Sequence, residues 1–214
     1  MRANHIGNYM EQRSEEWFAQ RRGKVTASRI GDILATIRNG NWAASRKHYA
    51  AQLVSERLSD KNPEPFTNEY IEWGIAQEVP AKEAYQKTTG NAVEDVGFVN
   101  HPVIEMAGAS PDGLIGEKGC LEIKCPTTAT HIETLLAGEI PEKHKYQMTW
   151  QMLCAKREWC DFVSFDPRLP EDMQLFIKRF PLNIKEAYEI EKEVRIFLEE
   201  VAETEKALLE KFRS

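Results

Sequence analysis

The chain has 214 residues, of which 42% are hydrophobic and 29% are charged, and its formal net charge at pH 7 is −6. This composition is typical of a globular protein and excludes an intrinsically disordered chain. The sequence contains no apolar run long enough to cross a bilayer. The negative charge excludes a protein that binds nucleic acid through an overall basic surface, but it is compatible with a local basic channel.

The sequence predicts a single domain that spans residues 1–214. Its length suits one hydrophobic core, and no internal repeat and no glycine-rich or proline-rich linker divides it. The segment from Met1 to Met10 is polar and lacks the apolar stretch of a secretion signal. We therefore expect a cytoplasmic protein that does not associate with a membrane.

The first 90 residues are predicted to be mainly helical. Hydrophobic periodicity and capping residues indicate helical segments at 14–23, 30–37, 42–58 and 68–89. Ser14 is the expected N-cap of the first segment, and Gly23 is its expected end. Pro80 is expected to kink the fourth segment or to start a new helix, because proline lacks the backbone N–H that a helix interior uses.

The central part of the chain is predicted to contain strands. Residues 92–124 are rich in valine, isoleucine and glycine and have turn signals at residues 111–113 and 117–119, which indicates a meander of at least three strands. Beyond it, the pattern predicts helices at 131–136, 141–156 and 184–212, with strands at 161–165 and 174–180. The predicted class is α/β, with helices that flank one mixed central sheet.

The candidate chemistry lies at the turn that contains Asp112 and on the strand that contains Glu122 and Lys124. Residues two apart on a strand point to the same face, and a hairpin can bring Asp112 beside Glu122. Two adjacent carboxylates repel each other unless a cation neutralises them. With the Ile123 carbonyl they would suit Mg²⁺, which prefers oxygen ligands and retains water. Lys124 would then orient the attacking water and offset negative charge in the transition state.

An alternative interpretation of this spacing is a surface hairpin with an ordinary ion pair between Glu122 and Lys124. The apolar residues Leu121 and Ile123 alternate with the charged pair, which indicates a buried strand whose charged face points into a cleft. This context favours a catalytic site.

The four cysteines, Cys120, Cys125, Cys154 and Cys160, leave two possibilities open. A zinc or iron–sulfur site would use them as ligands, but none of the spacings is a CxxC pair and no histidine completes a finger pattern. Buried, reduced thiols fit the sequence better.

Several sequence blocks together resemble a known enzyme family. The string S-P-D-G-L, which begins at Ser110, is followed by L-E-I-K-C-P from Leu121. This pattern resembles the PD-(D/E)xK nuclease superfamily and, within it, the phage lambda-type exonuclease or YqaJ-like viral recombinase family. The remaining matching blocks are R-x-G-x-x-T-A-S from Arg21, Trp73-Gly74 with Glu78, and Gln147 with Trp150-Gln151-Met152.

This resemblance implies a restriction-endonuclease-like core and a Mg²⁺-dependent exonuclease. Such an enzyme digests one strand of linear double-stranded DNA from its 5′ end, releases mononucleotides and leaves 3′ single-stranded tails for recombination. The resemblance implies one or two Mg²⁺ ions, with Mn²⁺ able to substitute. Asp112, Glu122 and the Ile123 carbonyl would be ligands, Glu78 would support a metal, and Gln147 would hold the nucleophile or a neighbouring group.

The resemblance also implies DNA contacts outside the catalytic strand. Arg21 and Ser28, with Ser110, would bind the 5′-terminal phosphate, a role that suits a guanidinium and hydroxyl groups. Ile71 lies near the position of an apolar wedge that parts the two strands, although an apolar residue on a helix is more often part of the core. Apart from the resemblance, the charge of the segment from Lys143 to Lys145 suits a contact with the DNA backbone, although a charge cluster at a helix N-terminus is more often simply solvated.

The partners that the resemblance implies are linear double-stranded DNA, a single-strand annealing recombinase and two further copies of the chain in a homotrimeric ring. A ring would enclose DNA in a basic channel while its exterior stays acidic. Two rival functions remain: a structure-specific endonuclease, including CRISPR-associated nucleases with an iron–sulfur cluster, and a non-catalytic adaptor that binds DNA ends. Those cluster-containing nucleases place one cysteine near the N-terminus, and no cysteine precedes Cys120 here.

Overall fold

The structure is a computed structural model that describes residues 12–59, 61 and 67–213. The polar segment from Met1 to Met10 lies outside the described residues. The helices are α1 (Glu15–Arg21), α2 (Ile30–Leu34), α3 (Ala44–Ser59), α4 (Glu69–Thr89), α5 (Thr128–Ala137), α6 (Glu142–Ala155) and α7 (Ile184–Phe212). The strands are β1 (Val25–Thr26), β2 (Val99–Asn100), β3 (Ala107–Ala109), β4 (Gly113–Ile115), β5 (Gly119–Lys124), β6 (Trp159–Phe165) and β7 (Leu175–Pro181).

The predicted α/β class is confirmed, but the described strands form two mixed sheets instead of one. The larger sheet has the order β4-β5-β6-β7, in which β5 and β6 are parallel and the outer pairs are antiparallel. The smaller sheet has the order β1-β3-β2, with β1 parallel and β2 antiparallel to β3. The expectation of one central sheet was wrong in this respect.

The predicted meander is divided between the two sheets at residues 110–112, which connect β3 to β4. Pro111 lies in this connection, and proline cannot donate a hydrogen bond to a strand ladder. The chain therefore leaves the small sheet at Ser110 and enters the large sheet at Gly113. This crossing places Asp112 beside the large sheet instead of within a strand.

Two predicted helix boundaries were wrong because a tight turn lies between α2 and α3. The second helix ends at Leu34 instead of Ile37, and α3 begins at Ala44 instead of Trp42. Thr36 and Trp42 form an antiparallel bridge, and Gly40 at the turn has φ 83°. Glycine adopts this left-handed conformation without the steric cost that a Cβ atom imposes.

Of the two alternatives predicted for Pro80, a new helix or a kink in the existing one, the new helix is excluded, because α4 runs as one helix from Glu69 to Thr89 with Pro80 inside it. Ala81 and Tyr85, on the turn after the proline, are fully buried against the large sheet. Burial of this face stabilises the helix and offsets the hydrogen bond that proline cannot make.

The two faces of β5 pack against different helices, and this arrangement fixes the position of the charged residues. Leu121 and Ile123 point toward α4, where they join a core cluster with Tyr85 and Val163. Cys120 points to the opposite face, toward Met148 and Met152 of α6. Because side chains alternate along a strand, Glu122 and Lys124 also point to the α6 side.

A third part of the core joins α7 to the small sheet through residues such as Tyr49, Trp150 and Phe197.

Within the part of the chain that the structure describes, no helix combines the length and apolar character that a membrane span requires.

Candidate active site

Asp112 lies at the carboxyl end of β5, held there by the backbone of that strand. Its backbone N–H donates to the Leu121 carbonyl at 3.1 Å, and its Oδ2 accepts a hydrogen bond from the Ile123 N–H at 2.6 Å. The predicted hairpin contact therefore forms, and it fixes both the main chain and the carboxylate of Asp112.

Glu122 is a buried carboxylate with two polar neighbours. Its side chain is 1% exposed, and Lys124 Nζ lies 2.5 Å from its Oε1. Gln151 Nε2, from α6, donates to its Oε2 at 2.6 Å. The same-face pairing predicted for Glu122 and Lys124 is thus present, with the Glu122 side chain buried and the Lys124 side chain 32% exposed.

Gln151 has a structural role that the sequence did not reveal. It is fully buried, and its amide holds the Glu122 carboxylate in one orientation. Gln147, the glutamine given a role by the family resemblance, lies one turn earlier on α6 and lines the cleft. The spacing of four residues, which puts both glutamines on one helix face, was the available signal.

Burial and mutual repulsion change the protonation of the two central side chains. Burial, followed by the charge of Glu122, raises the pKa of Asp112 well above its usual value. Burial alone would lower the pKa of Lys124, but the carboxylates of Glu122 and Asp112 outweigh it and leave that pKa raised. The site thus concentrates negative charge, which a proton on Asp112 or a bound cation would relieve.

These residues open onto a cleft of about 430 Å³ between α4, the end of β5, and α5 and α6. The cleft is lined by most of the residues predicted for catalysis: Asp112, Glu122, Ile123, Lys124, Glu78 and Gln147. Ile71, the predicted wedge, also lines it and is 39% exposed. Lys143 and His144 line the α6 side, whereas Lys145 forms an ion pair with Glu142.

Glu78 lies in the cleft, but its nearest charged partner is a cation. Arg13 Nη2 lies 2.7 Å from Glu78 Oε2, and the Glu78 side chain is 20% exposed. Among the described residues, no group of three Asp, Glu, His or Cys side chains is arranged to hold a metal ion. Glu78 therefore shares the cleft with Asp112 and Glu122 without completing a three-carboxylate cluster.

The donors that are present still fit a magnesium ion. Mg²⁺ is usually bound by one or two carboxylates and keeps several waters, so it does not need a full protein cage. Asp112 and Glu122 supply two carboxylates at the end of β5, and Ile123 between them lines the same cleft. Their repulsion, expressed in the raised pKa of Asp112, is what a divalent cation would remove.

His144 is held in its neutral form. Its ring stacks on Phe162 with 5.4 Å between the ring centroids. Burial, followed by the charges of Lys124 and Lys143, lowers its pKa to about 3. A histidine with this pKa is a neutral imidazole at pH 7, so it does not act there as an imidazolium general acid.

A second, smaller cavity of about 200 Å³ lies beside α1 and α3 and is rich in positive charge. Arg21 and Ser28, two of the three residues predicted to bind a terminal phosphate, both line it. Its other charged lining residues are Arg22, Lys24, Arg29 and one acid, Glu56. Burial lowers the pKa of Arg21 to about 10, which leaves the guanidinium charged at neutral pH.

Ser110 links the basic cavity to the catalytic strand. Its Oγ accepts hydrogen bonds from Arg21 Nη1 at 3.2 Å and from Trp17 Nε1 at 2.9 Å. The Arg21 guanidinium also stacks over the Trp17 ring, 3.9 Å from its centroid. Because Ser110 is two residues from Asp112, a short segment of the chain connects the two charged sites.

The four cysteines are free thiols. Burial raises the pKa of Cys120 and of Cys125 to about 12, and it raises those of Cys154 and Cys160 as well. A metal binds the thiolate form, which this environment disfavours. The geometry thus favours buried thiols over a metal-cysteine site.

Comparisons with known proteins agree with this geometry. The sequence model of the YqaJ-like viral recombinase domain matches residues 16–158. An alkaline exonuclease (LHK-Exo) from Laribacter hongkongensis, known from a crystal structure, has 44% sequence identity to this chain and a TM-score of 0.87. The alignment covers 92% of this chain and 97% of the exonuclease chain. The same values hold for its complex with dAMP.

A more distant neighbour shares the fold. A phage-related exonuclease from Haemophilus somnus 129PT is 15% identical, has a TM-score of 0.64, and covers 88% of this chain and 96% of its own. No curated protein sequence gave a match.

Proposed function

Because the chain belongs to the YqaJ-like viral recombinase domain family, we propose that it is a Mg²⁺-dependent exonuclease that degrades one strand of linear double-stranded DNA in the 5′-to-3′ direction. The product would be mononucleotides and a duplex with 3′ single-stranded tails. Family membership and the 44% identity to an alkaline exonuclease support a DNA exonuclease. The metal, the polarity and the duplex substrate are what we add to that assignment.

The observation that carries the proposal is the set of Asp112, Glu122 and Lys124 at the end of β5, in which a buried Glu122 stands between two partly exposed residues that open to a cleft. When bound, Mg²⁺ would supply a Lewis acid for the phosphoryl oxygen and a lower pKa for water. Asp112 and Glu122, with the Ile123 carbonyl, would hold it. Lys124 would place a positive charge and a hydrogen-bond donor beside the phosphate as negative charge develops.

The neighbouring residues would orient the reacting groups. Gln151 fixes the Glu122 carboxylate, so that this ligand keeps one position throughout the reaction. Gln147, on the cleft wall, would position the attacking water or the phosphate. Glu78 would support a metal once its carboxylate is free to do so. Neutral His144 would pack against the substrate without exchanging a proton.

The basic cavity is the basis for the proposed polarity. Arg21, Ser28 and Ser110 would bind a terminal 5′ phosphate, and the short chain path from Ser110 to Asp112 would set its distance from the scissile bond. Ile71, at the edge of the cleft, would contact the bases where the strands part. The remaining proposed partners are a single-strand annealing recombinase and a homotrimeric ring of this chain in the cytoplasm.

The test of the proposed function is digestion of linear duplex DNA labelled at its 5′ or 3′ end, in Mg²⁺ and in EDTA. We expect the 5′ label to be released before the 3′ label, in a mononucleotide, and only in Mg²⁺. Cutting of covalently closed circles at a similar rate would instead identify an endonuclease. DNA-end binding without any cleavage would identify the non-catalytic adaptor, and release from the 3′ end would contradict the polarity.

Replacing Arg21 with alanine should remove the preference for a 5′-phosphorylated end. A charged hydrogen bond to phosphate contributes about 1.5–3 kcal/mol, so the ratio of kcat/KM for 5′-phosphate over 5′-hydroxyl duplex should fall by about 10- to 100-fold. Both substrates are measured with the same enzyme preparation, so a general loss of activity cancels in the ratio. An unchanged ratio would show that the phosphate binds elsewhere.

A further inference from the structure

Arg13 has an unusual backbone conformation beside the proposed active site. Its φ is 72°, in the left-handed region that residues with a Cβ atom seldom adopt. The other described non-glycine residue with positive φ is Lys156. Lys156 is the C-cap of α6, where a left-handed residue commonly ends a helix. Among the described residues Arg13 ends no helix, so its conformation needs another explanation.

Fold stability does not account for arginine at this position. The left-handed conformation costs free energy for any L residue with a side chain, whereas glycine would adopt it freely. The contact that arginine gains is the pair with Glu78, in which the Arg13 side chain is 44% exposed. An ion pair this exposed contributes little, because water and salt screen it.

The position of the Arg13 guanidinium indicates a ligand. Arg13 lines the catalytic cleft together with Asp112 and Lys124, and it also lines an adjoining cavity of about 340 Å³. Its ion pair with Glu78 uses Nη2. A guanidinium has five N–H donors in a rigid fork, which matches the geometry of a phosphate.

We propose that Arg13 binds a backbone phosphate of the DNA in the cleft and exchanges Glu78 for that phosphate when DNA enters. This inference rests on the proposed nuclease function. In this structure the Glu78 carboxylate is paired with Arg13 and lines the same cleft as Asp112 and Glu122. Transfer of Arg13 to the phosphate leaves the Glu78 carboxylate free to support a cation.

The experiment compares the wild type with Arg13→Gly and Arg13→Lys. Glycine suits the φ of 72° and removes the charge, so Arg13→Gly should unfold at a temperature no lower than the wild type. Lysine retains the charge. Lys118→Ala, at the opposite end of β5, removes an exposed cation away from the cleft and serves as the matched control.

The first measurement is the salt dependence of binding to a duplex whose 5′-terminal linkages are phosphorothioates. Each phosphate that a protein neutralises on duplex DNA adds about 0.9 to the slope of log K against log salt. Arg13→Gly should therefore reduce that slope by about 1, whereas Arg13→Lys and Lys118→Ala should retain it. A wild-type slope in Arg13→Gly would overturn the proposal.

The second measurement is the affinity of the DNA-free protein for Mn²⁺ alone. Arg13→Gly should bind Mn²⁺ more tightly than the wild type, because Glu78 no longer has a competing partner. A reduced salt slope with unchanged Mn²⁺ affinity would overturn the exchange. If the wild type neither binds nor digests the duplex, the nuclease function itself fails, and that outcome is distinct from any difference between the variants.

Discussion

Lys124→Ala should lower kcat for mononucleotide release by about 1000-fold, because removal of one donor aimed at developing negative charge costs two to three orders of magnitude in comparable sites. Lys124 Nζ lies 2.5 Å from Glu122 Oε1 and lines the same cleft, where the phosphate is proposed to bind. DNA binding should change by less than about tenfold, since the interaction is strongest in the transition state. Single-turnover digestion and duplex binding separate the two effects.

The alanine variant removes a partner of a buried carboxylate and could unfold for that reason alone. Lys124→Gln keeps most of the side-chain volume and a hydrogen-bond donor without the charge, so it tests the charge in a folded protein. Both variants are compared with Lys118→Ala, at the other end of the strand. Near-normal turnover in Lys124→Gln would mean that this site is not where the phosphodiester bond is cleaved.

The arrangement of β5 could be predicted from the sequence because a strand obeys a period of two. Leu121 and Ile123 had to share one face, and Glu122 had to share the other with Lys124. The turn at Pro111 and Gly113 then required Asp112 to return toward that strand. Local rules of this kind fix the relative positions of side chains over a short stretch of sequence, and the motif from Asp112 to Lys124 is such a stretch.

The division of the strands into two sheets could not be predicted in the same way. β3 pairs with β1, which lies about 80 residues earlier in the chain, and this pairing has no local signal. The role of Gln151 likewise depends on how α6 packs against β5. The contact of Arg13 with Glu78 joins residues 65 positions apart and depends on a left-handed backbone that arginine does not favour.

Asp112→Asn should abolish activity and, at the same time, stabilise the metal-free protein. Asp112 lies beside the buried Glu122, and desolvation together with repulsion between the two carboxylates destabilises the charged pair. Asparagine keeps an oxygen that can accept the hydrogen bond from the Ile123 N–H but carries no charge. We expect the free energy of unfolding in EDTA to rise by about 1–3 kcal/mol, by analogy with the neutral replacement of buried charges.

In Mg²⁺ the wild type should instead be more stable than Asp112→Asn. If Mg²⁺ binds only the folded state, a Mg²⁺ concentration of about 100 times its Kd would raise the free energy of unfolding of the wild type by about 2.7 kcal/mol. Asp112→Asn lacks one of the metal ligands, so its free energy of unfolding should rise little. Urea unfolding of both proteins in EDTA and in Mg²⁺ gives the four values required. A wild type that Mg²⁺ does not stabilise would argue against metal binding by this pair.

A buried aspartate in the larger sheet provides the control. Asp161, on β6, accepts hydrogen bonds from Arg179 Nε at 2.8 Å and from the Tyr85 hydroxyl at 2.7 Å, so its charge is compensated. Asp161→Asn should therefore destabilise the protein by about 2 kcal/mol, with or without Mg²⁺. Opposite signs for the two substitutions in EDTA would show that Asp112 is strained for function, since its charge destabilises the fold until a cation binds. If both substitutions destabilise equally, Asp112 is an ordinary structural aspartate and the metal site must be assigned elsewhere.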